Sequence, residues 1–145
     1  MAGLDVISKN YSDVNGEWGR VIDTAVRERP VFIQRTDDSV VMLSLSTLSE
    51  MFRRLKFNVS LIHEDDGSVT GVVEELDLIE NAGTENDCVA ALMAAMRDYA
   101  GDFYGDFSFW ASAPNRRSHI PYVIKILSSS DAQLMEDVIC RDGGI

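Results

Sequence analysis

Apolar positions along the chain alternate between two periods, and the changes of period mark out short elements. Leu4–Ile7 is an apolar run that predicts a first strand, with Ser8 placed to cap the helix after it. Asn15-Gly16 interrupts that helix. From Glu17 onward, Trp18, Val21, Ile22, Ala25 and Val26 fall at helical spacing on one face, and Pro30 ends the helix. Val31-Phe32-Ile33 predicts a strand, Thr36–Ser39 a tight turn, and Val40–Leu43 the returning strand. Ser46 or Thr47 starts a further helix, with Thr47 and Glu50 at capping-box spacing and Leu48, Met51, Phe52 and Leu55 on its apolar side.

The second part opens with a strand over Phe57–His63, turn chemistry at Glu64–Gly67, and a returning strand over Val69–Leu76. Leu78-Ile79 adds a short third strand. Thr84 and Asp87 mark the start of a helix reaching Tyr104, with Val89, Leu92, Met93, Met96, Tyr99 and Ala100 as its buried side. Pro114-Asn115 opens another helix, with Arg116-Arg117 in its first turn. Ser130 or Asp131 caps a last one, with Leu134, Met135, Val138 and Ile139 apolar. The fold class expected is α+β. A β-α-α-β-β-α module over residues 1–56 precedes a hairpin-plus-helices part over residues 57–145.

The chain has 145 residues, 46% hydrophobic and 26% charged, with three prolines and ten glycines, which describes a globular chain rather than a disordered one. Nothing approaches the roughly 20 apolar residues of a membrane span. The start MAGLDVISKN has neither a basic head nor an apolar run, so a cytoplasmic protein without membrane contact is expected. Charge changes the picture more. Residues 1–58 carry eight basic and eight acidic side chains, leaving five basic and sixteen acidic for residues 59–145. The whole net charge of −11 therefore belongs to the second part. A neutral module joined to an acidic one suggests two different partners. The first module is also too small to cover both faces of a three-stranded sheet, so homodimerisation is expected on physical grounds.

The stretch VISKNYSDVNGEWGRVIDTAVRERPVFIQRTDDSVVMLSLSTLSEMF resembles the N-terminal module of the prevent-host-death (Phd/YefM) antitoxins over roughly residues 5–55. The resemblance rests on a short strand, a helix pair with an apolar ladder, a Pro-Val strand, a turn after an arginine, a Val-rich strand and a Ser-capped helix. It implies a dimer that binds operator DNA through the chain start and first helix. The matching positions are Ser8, Lys9 and Asn10, with Arg20 and Arg35 as phosphate contacts. One departure is the pair Asp37 and Asp38 in the hairpin turn, where the family carries basic or glycine residues. Carboxylates there oppose a phosphate backbone. The hairpin, short strand and amphipathic helix from residue 57 are similar in topology to the HicB-type antitoxin fold, without a diagnostic motif. SAPNRRSHIPYVIKIL resembles a branch of Phd-like antitoxins with an extended C-terminal region.

Five of the twelve aromatic residues lie within positions 103–110. Such density belongs either to a core or to a partner surface, and Phe107, Phe109 and Trp110 are the partner-binding candidates together with Arg116 and Arg117. The two arginines either hold an anion or pair with this chain's own acidic surface. Catalysis is not expected. Cys88 and His119 lack the flanking signature of a nucleophilic pair. Glu64, Asp65 and Asp66 beside His63 match neither an EF-hand nor a zinc spacing, and no phosphate loop occurs, so neither a cofactor nor a metal is expected.

With the resemblance, these features imply an antitoxin of a type II toxin–antitoxin pair. Its acidic part would cover a basic RelE-type RNase toxin by charge complementarity, and its first module would repress its own operon. The alternative is a Phd-like dimeric regulatory or small-ligand-binding module without DNA binding, which Asp37 and Asp38 favour.

Overall fold

A computed structural model describes residues 7–143. The chain is mixed α+β and divides between Met51 and Phe52 into two compact units, each with its own sheet.

In the first unit the elements run β1 (Lys9–Asn10), α1 (Tyr11–Val14), α2 (Trp18–Arg27), β2 (Val31–Arg35), β3 (Asp38–Met42) and α3 (Leu45–Met51). The sheet order is β1-β2-β3, with β1 parallel and β3 antiparallel to β2. Most of the strand expected at Leu4–Ile7 lies outside the described residues. The strand that is described begins at Lys9 and pairs with Ile33 and Gln34. Ser8 does not cap α1: its hydroxyl donates to Gln34 Oε1 at 3.2 Å, which fastens the start of β1 to β2. The β2–β3 turn is tighter than expected, two residues long, with Thr36 at φ 51° and pairing resumed at Arg35–Asp38. Ser44 caps α3 in place of Ser46 or Thr47, accepting from the Thr47 backbone N–H at 3.1 Å. The core is small: Val14, Val21, Ala25, Val31 and Ile33, with Met42 against them.

The second unit contains β4 (Phe57–His63), β5 (Val69–Val73), β6 (Leu78–Ala82), α4 (Glu85–Gly105), α5 (Phe107–Ser112), a 3-10 turn (Arg117–His119), α6 (Ile120–Ser128), α7 (Asp131–Asp137) and β7 (Val138–Asp142). Its sheet has the order β6-β5-β4-β7, antiparallel except for the β4–β7 pair. Phe57, Val59 and Leu61 alternate inward with Val69 and Val73 beneath α4, whose residues Leu92, Met96, Ala100 and Phe103 complete the core. Thr84 caps α4 as its spacing with Asp87 implied, accepting from the Asp87 N–H at 3.1 Å. Gly71 lets the helix approach: a Cβ there would come within 2.7 Å of Leu92 Cδ1 and 2.8 Å of Cys88 Sγ.

Three expectations for this unit are corrected. The strand after the hairpin turn stops at Val73, because a turn ending in Asp77 at φ 56° redirects the chain and buries Leu76. The helix expected to hold Arg116 and Arg117 in its first turn begins only at Ile120, after both arginines, with Pro121 in its first turn. Val138 and Ile139 do not extend the last helix. They enter β7, where Val138 pairs with Phe57 and Ile139 with Asn58. Residues 52–56 belong with this unit because Lys125 Nζ, in α6, donates to Phe52 O at 2.9 Å and also to Leu55 O.

Candidate functional site

The residues expected to contact DNA are brought together in part. The β1–β2 register sets Lys9 beside Ile33 and Asn10 beside Gln34, one residue before Arg35. Ser8, Lys9, Asn10 and Arg35 therefore occupy one stretch of sheet, with Lys9 and Asn10 exposed. Arg35 is partly engaged: its guanidinium lies 5.8 Å from the Tyr11 ring centroid and 3.4 Å from Asp38 Oδ2. Exposed pairs of this kind contribute little to stability, so Arg35 stays available to an anion. Arg20 stands apart from that stretch in sequence, exposed in the first turn of α2. One basic residue was missed. Arg29 lines a cleft of about 450 Å³ together with Lys9, Thr24 and Pro30. No spacing linked Lys9 to Arg29, because the parallel pairing of β1 with β2 is what joins them.

The amphipathic face of α2 is wider than its own unit can cover. Val21 and Ala25 are buried, whereas Ile22 is 49% and Val26 57% exposed on the neighbouring stripe. Val40 and Val41 on β3 are exposed as well. They are consecutive residues of a strand and so point to opposite faces.

In the second unit the aromatic cluster is mostly core. Phe103 is fully buried and stacks on Trp110 at 5.9 Å, with Phe107 edge-on at 5.3 Å and Tyr99 at 6.0 Å. Phe109 faces solvent, 63% exposed, as does Tyr104. Arg116 lies over the Tyr99 and Trp110 rings, 5.8 and 5.9 Å from their centroids. Arg117 is exposed in the 3-10 turn. Of the five candidates, Phe109 and Arg117 present themselves outward, while Phe107, Trp110 and Arg116 form their support.

Behind Arg116, Tyr99 Oη lies 2.7 Å from His119 Nδ1. Burial pushes the His119 imidazole below its ordinary value, and Arg116 pushes the same way against Asp77. Burial pushes the Tyr99 hydroxyl up, with Arg116 opposing. The neutral His119 ring and the protonated Tyr99 phenol share this hydrogen bond. The unfolded chain, with an ordinary histidine near 6.5, takes up the proton first as pH falls. The contribution of His119 to stability is therefore complete above that value and is lost as pH drops through the lower folded one. Urea unfolding is expected to give lower stability at pH about 5.5 than at about 7.5, with the difference reduced in His119→Gln.

Cys88 and His119 do not form a pair. Cys88 lies under Gly71 in the first turn of α4, its thiol donating to Glu80 O at 3.5 Å and pushed up in pKa chiefly by burial. His119 bonds to Tyr99, three turns further along the helix. Glu64–Gly67 is a hairpin turn in which Asp66 Oδ1 accepts from the Ser68 N–H at 2.9 Å. The carboxylates that approach His63 are others, Glu85 and Asp142.

Residues 6–140 match the PHD-like family, described as antitoxin of toxin–antitoxin, RelE/RelB, TA system. The chain belongs to this antitoxin family. The antitoxin also resembles a crystal structure from Syntrophomonas wolfei subsp. wolfei, described as the antitoxin part of a toxin/antitoxin system. The TM-score is 0.87 at 27% identity, covering 93% of this chain and 98% of that one. A search of curated proteins gave no match. Among the described residues, no helix of the antitoxin is long and apolar enough to cross a membrane.

Proposed function

We propose that this antitoxin acts by binding and not by catalysis, neutralising a RelE-type RNase toxin with its acidic second unit. The observation that carries this is the family match over residues 6–140, whose description pairs RelE with RelB. Charge supports it. An enzyme that grips RNA presents cations, and sixteen acidic against five basic side chains in residues 59–145 complement them. Much of the positive charge is already engaged inside the unit. Arg97 donates to Asp131 Oδ1 at 2.7 Å and to Ser129 O at 2.8 Å, and Lys125 is buried against Asp137. Phe109, Tyr104 and Arg117 supply outward contacts for the toxin.

In the same reading the first unit has a Phd/YefM-like role. It dimerises through the exposed stripe of α2 and through β3, and the dimer represses its operon using Ser8, Lys9, Asn10, Arg20 and Arg35. The test is to express the neighbouring small reading frame alone and with this chain. Growth arrest relieved by the antitoxin is expected, and toxin capture should weaken steeply with added salt. A neighbour without toxicity, or capture indifferent to salt, would overturn the reading.

The carboxylates of Asp37 and Asp38 beside Arg35, which oppose a phosphate backbone, favour a second reading, a dimeric regulatory or small-ligand module that does not bind DNA. Mobility shifts with the chain's own upstream DNA separate the two. Binding lost in Lys9→Ala supports repression, and no binding at any concentration supports the alternative.

A further inference from the structure

Three side chains to which the antitoxin reading gives no individual role meet at one end of the second sheet. His63 ends β4, Glu85 opens α4 and Asp142 ends β7. One donor atom from each lies within 4.8 Å of the others, and His63 Nε2 is 2.9 Å from Glu85 Oε1. The register brings them together. Asp142 stands opposite Leu61, so it shares a sheet face with Leu61 and His63, and this is the face that α4 covers. Glu85 occupies the first position of that helix, where the helix dipole favours a charged carboxylate.

An ion pair between His63 and Glu85 accounts for one contact but not for Asp142. Two carboxylates drawn to one point repel unless positive charge lies between them. A protonated imidazole supplies one unit of charge, and a divalent ion supplies two. We propose that His63, Glu85 and Asp142 bind a divalent transition ion of the zinc class and thereby clip the end of β7 to β4 and α4. Imidazole with two carboxylates selects such ions over calcium or magnesium, which prefer oxygen alone. Ligand bonds of about 2.0–2.2 Å set tetrahedral donors about 3.4 Å apart. All three side chains are exposed, so small rotations close the gap and water completes the coordination. The clip joins residues distant in sequence at the end of β7, whose sheet neighbour among the described residues is β4.

The test is calorimetric titration of the full chain, stripped with chelator, with zinc chloride. One ion per chain is expected, with binding at least tenfold weaker in His63→Ala and in Asp142→Asn and unchanged in Cys140→Ser. Because both ligand positions are exposed, circular dichroism of the variants should match the parent. A second readout is hydrogen exchange at Arg141 and Asp142, which zinc should slow in the parent chain and leave unchanged in His63→Ala. The proposal fails if the parent shows no saturable binding. It also fails if His63→Ala or Asp142→Asn binds like the parent, or if Cys140→Ser abolishes binding.

Discussion

Replacing Lys125 by methionine is expected to destabilise the second unit by about 3 kcal/mol, chiefly the cost of leaving two buried carbonyls without their donor. Methionine keeps the length and most of the volume of the lysine stem, so packing against the core changes little. What disappears is the ammonium. In the native unit, Lys125 Nζ contacts Asp137 Oδ2 at 3.0 Å and donates to the carbonyls of Phe52 and Leu55. The side chain is only 6% exposed, so water cannot replace it at either carbonyl. Asp137 keeps Lys56 Nζ at 2.6 Å from its other oxygen. Burial pushes the Asp137 carboxyl up, but the hydrogen bonds from Lys56 and Lys125 outweigh that and hold it below the usual carboxylate value. The loss should therefore shrink when Asp137→Asn is added, and the two changes should not be additive. The measurement is urea unfolding followed by tryptophan fluorescence in a Trp18→Phe background. The two tryptophans, Trp18 and Trp110, report one unit each, so the remaining signal isolates the second. A loss under about 1 kcal/mol would mean that water or Lys56 takes over the contacts.

That cluster was also among the features the sequence could not disclose. Lys125 within IPYVIKIL reads as one cation on an apolar helix, and its partners lie some 70 residues upstream and 12 downstream. Local signals were legible where the deciding contact is local. The spacing of Thr84 and Asp87 names the cap of α4, and the hairpin of β4 and β5 follows from alternation about a Glu-Asp-Asp-Gly turn. Where a non-local pairing decides, pattern failed. Leu134, Met135, Val138 and Ile139 fit a helical face as well as they fit a helix followed by a strand. The parallel ladder with Phe57 and Asn58 selects the second, as Asp137 turns to Lys56 and Lys125 at the boundary. His63, Glu85 and Asp142 share no spacing, since their meeting depends on the register of β7. The aromatic run at 103–110 is ambiguous for another reason: core and surface both use such residues, and the break at Asp106 between α4 and α5 is what sets buried Phe103 apart from exposed Phe109.

Ile22→Glu is expected to convert the dimer proposed for this antitoxin into a monomer without unfolding it. Ile22 lies on the exposed stripe of α2 while Val21 and Ala25 on the adjacent stripe hold the helix to the sheet. A glutamate there meets solvent in the monomer and disturbs neither buried residue. In a twofold dimer the same position contributes twice, so each copy brings one unpaired carboxylate into the interface. At about 2 kcal/mol or more per buried, unpaired group, the dissociation constant should rise at least about 100-fold. The proposed dimer draws its driving force from what the core leaves uncovered. Five small or medium apolar residues and Met42 must offset the ordering of the whole unit, and Val40, Val41, Ile22 and Val26 remain uncovered. Equilibrium sedimentation measures the assembly, and circular dichroism at the same concentration checks the fold. If the dimer carries the DNA contacts, the variant should lose the mobility shift together with the dimer, because two half-sites held at fixed spacing are then no longer engaged as one. A variant that stays dimeric would move the interface away from α2 and toward β3, where Val41→Glu would be the corresponding substitution. A variant that is monomeric yet retains the shift would separate dimerisation from DNA binding.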